Sequence, residues 1–288
     1  MLDAHALRHR RRDRLATVIV WTGATLVAVA LGWILIDLLR HGLGRLDLAF
    51  FVAEPRDAGR AGGVGPMVVS TLLVLAVCLA TAVPIGLGTA LFLTEIADRG
   101  SRAARWVRRS LDALAAVPSI VFGLFGNAFF SHLLGLGYSI AAGGLTLACM
   151  VLPLVIRSTE AGLAAVPVDW RRGAAALALS RWTTLRSIVL PAALPGLVVG
   201  LVLGLGRAVA ETAALLFTSG SVDRWPTSLL DSGRTLSIHV YELSMHVPAG
   251  SDSAYATALV LVILMAITSQ LAGSLTRRVV APHARPPR

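Results

Sequence analysis

The stretch "LPGLVVGLVLGLGRAVAETAALLF", residues 194–217, begins as a segment suited to a lipid interior and then departs from that pattern. Arg207 and Glu211 stand four residues apart inside an otherwise apolar run. On an uninterrupted helix that spacing sets both side chains on one face, within reach of each other. A lone charge at mid-bilayer costs about 2.5–3.5 kcal/mol on insertion scales. Pairing lowers this cost but leaves the desolvation of both ions. Two readings follow: an ion pair that fixes helix register, or a gate that faces the path of a charged solute.

The flanking sequence repeats the apolar theme. The chain has 288 residues, 56% of them hydrophobic, above the usual share in a soluble domain. Several blocks approach the ~20 apolar residues that cross a bilayer. Six spans are predicted, at about Leu15–Leu38, Met67–Ile96, Ser110–Phe130 (interrupted at Pro118), Ile140–Ile156, Ala192–Thr218 and Tyr255–Leu275. The expected class is an all-α polytopic membrane protein. Continuous apolar blocks do not fit the alternating short strands of a membrane barrel.

Charge narrows the function. The formal net charge is +10, and all 26 basic residues are arginine. Without lysine there is neither a G-x-x-x-x-G-K-[ST] nucleotide loop nor a Schiff-base lysine. The arginines flank apolar spans, which is a membrane-topology pattern and gives no reason to expect nucleic acid. Nineteen lie at one end of the spans, in clusters within 8–14, 99–109, 157–186 and 277–288; six lie in the opposite loops. The positive-inside rule then predicts both termini in the cytoplasm. Cys78 and Cys149 sit inside spans and read as small buried hydrophobes. The first span lacks a convincing small-residue cleavage site and is expected to be retained.

Residues 157–191 are too long for a simple turn. Pro167 and Asp169 make a helix start, "RRGAAALAL" supplies helix formers, and a second short helix through "RWTTLRSIVL" is expected to stop at Pro191. The alternative is an amphipathic segment lying on lipid. This loop resembles the EAA signature of ABC importer permeases, E-A-A-x(3)-G-x(9)-I-x-L-P. Ile188, Leu190, Pro191 and Ala174 fall in register, whereas Arg172, Gly173 and Ala178 replace the expected Glu, Ala and Gly. "STLLVLAVCLATAVPIGLGTALFLTEIA" (70–97), "VPSIVFGLFG" (117–126), "LPLVIRSTEAGLAAVP" (152–167), "SRWTTLRSIVLPAALPGL" (180–197) and "GRAVAETAALLFTSG" (206–220) are similar, in order, to the PstA-type phosphate permeases.

The resemblance implies a type I ABC importer permease fold with six membrane helices. It implies residues 1–66 as an Arg-rich cytoplasmic start, first span and periplasmic loop, 67–276 as the permease domain with its EAA-like loop at 157–191, and 277–288 as a cytoplasmic tail. The implied partners are a second, PstC-like permease subunit, an ABC ATPase dimer docking on the EAA-like loop, and a periplasmic phosphate-binding protein. ATP is then used by the partner ATPase, and this chain is a transport subunit of the bacterial inner membrane with no cofactor of its own. In the family the EAA Glu lies at the ATPase contact, so Arg172 reverses a charge there.

Phosphate chemistry supports the gate reading of the opening stretch. A guanidinium presents a planar fork to two phosphate oxygens and stays charged in a low dielectric. Arg207 would exchange Glu211 for the anion, with Thr212 and Ser219 adding hydroxyls unless these bond their own helix. Arg157, near Glu160, is a second translocation candidate or an ordinary positive-inside arginine. Glu95 and Asp112 read as interfacial, while Asn127 either bonds across helices or lines the path. His239, Glu242 and His246 share a face at helical spacing without a fourth metal ligand. Trp225 and Tyr241 suit an outer aromatic belt or a docking surface. An ion-coupled anion carrier with Glu211 as proton site, or an ABC permease for another oxyanion or a phosphonate, remains open at this stage.

Overall fold

The computed structural model describes residues 2–98 and 100–280; Arg99, Arg285 and Arg288 of the arginine count lie outside it. The helices are α1 (Leu2–Gly42), α2 (Leu48–Val52), α3 (Gly65–Leu91), α4 (Arg102–Ala115), α5 (Ser119–Gly126), α6 (Ile140–Ala164), α7 (Val168–Ala176), α8 (Arg181–Thr184), α9 (Leu190–Val209), α10 (Ala213–Leu216), α11 (Leu236–Met245) and α12 (Ser251–Val280). A two-residue hairpin, Pro55–Arg56 with Ala61–Gly62, sits in the loop before α3. Among the described residues five helical runs are long and apolar enough to cross a membrane: Leu15–Arg45, Gly65–Ile96, Ile140–Ala164, Arg181–Val209 and Ser251–Leu271.

The predicted third span is a bent pair. Arg102–Ala115 and Ser119–Leu133 meet at 106°. The expected break at Pro118 is real but is a corner, so Ser110–Phe130 is not one rod. Pro118 disfavours helical geometry in the residue before it, and α4 is amphipathic where Ser119–Leu133 is apolar. The fifth span differs as well. It starts at Arg181, runs through Pro191, and ends at Val209 instead of Thr218. Pro191 does not stop it because residues Leu185–Val189 form a π-helical turn immediately before. Wider i→i+5 bonding makes room for a ring that would clash in an α-helix and that donates no N–H.

The core is the antiparallel contact of α6 with α9, flanked by α3. Leu147, Val151 and Val155 of α6 meet Leu197 of α9 and Val74, Cys78 and Ala82 of α3, all buried. Glycines allow the α6–α9 backbones to approach. A Cβ on Gly196 would lie 2.5 Å from the Gly162 Cα, one on Gly200 would lie 2.9 Å from the Ser158 Cβ, and one on Gly204 would lie 2.5 Å from Val151 Cγ1. Small residues at four-residue spacing are how membrane helices gain close van der Waals contact, since lipid offers no hydrophobic drive between them. In contrast, α1 packs mainly along α12, and its apolar window has no buried residue.

At the end opposite the arginine clusters, the loop after α10 folds back and caps α6. Asp231 and Leu229 carbonyls accept from the Ile140 and Ala141 N–H groups, and Ser139 Oγ accepts from Ala142 N–H. These are the orphan donors of a helix start, which cannot be left unmet beside lipid. Asp231 is itself held by Thr227 and Ser228, and those bonds, led by the Thr227 hydroxyl, keep its carboxyl below the usual range.

His239 on α11 is buried, while Glu242 and His246 pair with each other at 3.2 Å nearer the surface. The three expected on one face therefore do not converge. Burial, with Arg234 adding to it, pushes the His239 imidazole down to about 3. The unfolded chain takes a proton near 6.5 and the folded one does not, so stability declines as pH falls through the window between those values. The slope is about 1.4 kcal/mol per pH unit for one proton. Thermal midpoints measured from pH 7 to pH 5 should fall in the wild type and fall less in His239→Gln. The helix contact has its own test. Gly196→Val should lower the thermal midpoint strongly, by about 1–3 kcal/mol or more of overpacking, whereas Gly88→Ala, with open space around it, should not destabilise.

Candidate functional site

A broken turn between Arg207 and Glu211 decides where these two charged side chains fall. Helix α9 ends at Val209, so the four-residue spacing no longer places the two on one face. Among the described residues Arg207 makes no ion pair and no side-chain hydrogen bond, and it is exposed, continuing a row with Val199 and Leu203. The expected Arg207–Glu211 pair is thus absent. Glu211 is used elsewhere: its Oε1 accepts from Ala214 N–H at the start of α10 (3.3 Å), and its backbone carbonyl accepts from Ser237 Oγ on α11 (2.7 Å). A carboxylate at a helix start is favoured by the free N–H groups there, which explains why Glu211 turns from Arg207.

Thr212 caps α10 by position, with no side-chain capping bond. Ser219 Oγ donates to Leu215 O, so its hydroxyl is committed to its own helix, as is that of Thr218 toward Ala214 O. Helix α10 rests on α5 through Gly123, whose Cβ would meet the Ala214 Cα at 2.9 Å. On the π turn after α5, Asn127 Oδ1 and Ser131 Oγ are buried without hydrogen-bond partners, as is Ser70 Oγ on α3. Asn127 therefore makes no carbonyl-side bond across helices. These orphan groups were invisible in the sequence, because only packing reveals which polar atoms lose water.

Arg157 is not brought to Arg207. Gly204 faces Val151 and Gly196 faces Gly162, so Arg157 lies level with residues near Gly200. That is about 10 Å along the bundle from Arg207 at ~1.5 Å per residue. Arg157 instead joins a network at the arginine-rich end. It donates to Asp112 (2.5 Å), to Glu160 (3.3 Å) and to the Arg108 carbonyl, and Arg108 holds the other Glu160 oxygen at 2.8 Å. The network ties α4 to α6. Asp112 and Glu160 neutralise guanidiniums that the helix ends would otherwise present to one another.

The expected hairpin at 157–191 is realised differently: residues 157–164 belong to α6, α7 follows, and the second arm is the start of the run from Arg181 to Val209, which Pro191 does not stop. Helix α7 follows Pro167, with Asp169 in its first turn, where a carboxylate suits the helix dipole. Ala174 is buried, while Gly173 faces open space. Arg172 is largely exposed and pairs only with Asp169, at 3.3 Å, a surface contact of about 0–1 kcal/mol. Arg171, not predicted from sequence, braces the hairpin. It meets Glu95 at 2.6 Å and donates to the Leu163 and Val166 carbonyls that end α6. Its position next to Arg172 carries no sequence signal that separates a brace from a solvated arginine. Ile188, Leu190 and Pro191 lie in the π turn and the start of α9.

The departure at Ala178 does not abolish the bend. Ala178 sits at φ +54, with its N–H bonded to Ala175 O and the Leu179 N–H to Ala174 O, a left-handed helix stop of the kind glycine usually makes. The Cβ costs about 1 kcal/mol in that conformation.

A helical hairpin thus stands between the fourth and fifth membrane-length segments of the bundle. Residues 82–281 match the model of the binding-protein-dependent transport system inner membrane component. The chain belongs to that family. Among its relatives, the phosphate transport system permease protein PstA 1 of Mycobacterium tuberculosis H37Rv is 32% identical over 289 residues, covering 98% of this chain and 92% of its own. The probable ABC transporter permease protein YqgI of Bacillus subtilis is 28% identical over 245 residues, 81% and 83% of the two chains. Among solved structures, a chain of a bacterial ABC transporter involved in the import of alginate aligns at TM-score 0.66 with 15% identity, covering 93% of this permease and 96% of that chain. A chain of the MetNI methionine transporter aligns at 0.58 with 18% identity, covering 75% and 96%. The fold is that of a type I ABC importer permease.

Replacing the strained alanine is the direct test of the hairpin geometry. Ala178→Gly should stabilise the purified permease by about 1 kcal/mol, read as a higher thermal midpoint.

Proposed function

We propose that this ABC importer permease carries phosphate from a periplasmic binding protein to the cytoplasm, with Arg207 as the anion contact in the path. One observation carries the reading: a guanidinium without a protein counterion, on an otherwise apolar exposed helix face. Such a cation is costly against lipid and is accommodated where a second permease subunit and a hydrated path cover it. Loss of the Glu211 pair strengthens the anion role, since Arg207 needs no partner to be displaced before it takes phosphate. Thr212, whose hydroxyl makes no hydrogen bond among the described residues, offers a further donor. Arg157 keeps a structural part at the arginine-rich end, tying α4 to α6.

Similarity to PstA proteins over nearly the whole chain supports phosphate as the anion and a PstC-like second subunit. The arginine asymmetry supports cytoplasmic termini and the hairpin at 157–191 facing a cytoplasmic ABC ATPase dimer, which hydrolyses the ATP. There Asp169, Arg172, Gly173, Ala174 and Ala178 form the docking helix and its stop, while Ile188, Leu190 and Pro191 carry the movement into α9. The exposed Arg172 calls for an acidic contact on that ATPase. On this reading residues 1–66 are an accessory first span and loop, and 67–276 hold the transport machinery.

In the complex reconstituted with its partner permease and ATPase, ATP-dependent uptake of radiolabelled phosphate should exceed that of sulfate. Arg207→Ala should reduce phosphate uptake by about tenfold or more, on the scale of a lost charge-assisted bond, with assembly unchanged. Normal uptake by a correctly inserted Arg207→Ala protein would remove this assignment.

A further inference from the structure

Helix α4 carries a second cationic site with no part in the path. Its inward face holds Ala104 and Leu111, buried against Leu163, Val166 and Val189. On the opposite face Arg102, Arg105 and Arg109 recur at three- and four-residue spacing with Trp106 among them, and together they bound a shallow pocket of about 220 Å³. Among the described residues none of these three arginines makes an ion pair or a side-chain hydrogen bond, in contrast to Arg108 on the flank, which Glu160 engages. Trp106 is 69% exposed.

Two further features point outward. The first turn of α4 has no acidic residue and Ser101 offers no capping bond, so free N–H groups and guanidiniums gather at the same helix end. The helix dipole disfavours cations there, and an external anion relieves both. Moreover, α4 lies at 106° to the apolar segment Ser119–Leu133 that follows it. Beside a segment that crosses the bilayer, that angle sets a helix along the headgroup surface, where tryptophan ring and arginine fork are both favoured.

We propose that the Arg102–Arg105–Arg109 face of α4, with Trp106, binds the phosphate groups of anionic phospholipids and anchors the corner between α4 and α5 at the membrane surface. The occupant is the lipid headgroup and not a partner protein: the arginines alternate with a ring suited to the acyl–headgroup boundary, and the face lies in the plane of the leaflet. The anchoring is independent of which solute the permease carries.

The test uses the reconstituted full complex in nanodiscs of phosphatidylcholine containing a fixed fraction of acyl-brominated phosphatidylglycerol or acyl-brominated phosphatidylcholine. The Trp106 signal is taken as the difference between wild type and Trp106→Phe. Quenching should be stronger with the brominated anionic lipid, with local enrichment of about fivefold or more. High salt should weaken it, as should the combined Arg102→Gln, Arg105→Gln and Arg109→Gln variant. Arg109→Gln alone, a milder change, should give an intermediate value and serves if the triple variant does not assemble. Equal quenching by the two lipids would overturn the proposal, as would enrichment that survives loss of the arginines. Quenching that appears only when the ATPase is omitted would instead assign the face to that partner.

Discussion

The permease depends on one contact, the near-touching of the α6 and α9 backbones. Gly162 and Gly196 face each other so closely that neither position has room for a methyl group. Inside a membrane, helix association draws on packing and not on release of water, and glycine is what lets two backbones exchange that packing at short range. Once α6 and α9 are locked, α3 has a groove to fill, α12 has a flank of α9 to pack against, and the α7 hairpin hangs between two fixed helix ends. The price of this arrangement is helix propensity at each glycine, about 1 kcal/mol relative to alanine, which the close contact offsets.

Charge is then sorted by depth. At the arginine-rich end two carboxylates are shared between helices: Glu160 bridges Arg108 and Arg157, and Glu95 holds Arg171. These pairs join segments far apart in sequence, α4 with α6 and the end of α3 with α7. The hairpin is thus joined to two spans, through Arg171 to the end of α3 and through the continuous helix from Arg181 to Val209. That continuity rests on the π turn at Leu185–Val189. Without it Pro191 would break the rod, and the hairpin and the arginine near its far end would not be one mechanical element.

Arg207 is the exception to this sorting, and its isolation follows from local geometry. Val209 is the last helical residue, and the chain turns before Glu211, whose carboxylate then serves the N–H groups of α10. The same residue pair on an unbroken helix would have formed a neutral, inert contact. The break converts it into a cap on one side and, among the described residues, an unpaired cation on the other.

Much of this was legible in the chain itself. Runs of apolar residues determine that helices cross a bilayer, because lipid excludes unsatisfied backbone whatever the neighbours. The arginine clusters determine which helix ends are alike. Pro167, Asp169 and the alanines after Gly173 determine a helical hairpin. These are properties of a segment and its solvent. What only the tertiary structure decided are matters between segments: that α4 turns a corner of 106°, that Arg157 joins Asp112 and Glu160, that Arg171 and not its neighbour braces the hairpin, and that α9 stops short of Glu211. Each depends on which carbonyl, carboxylate or glycine another helix brings within a few ångströms, and spacing along one strand of sequence holds no record of that meeting.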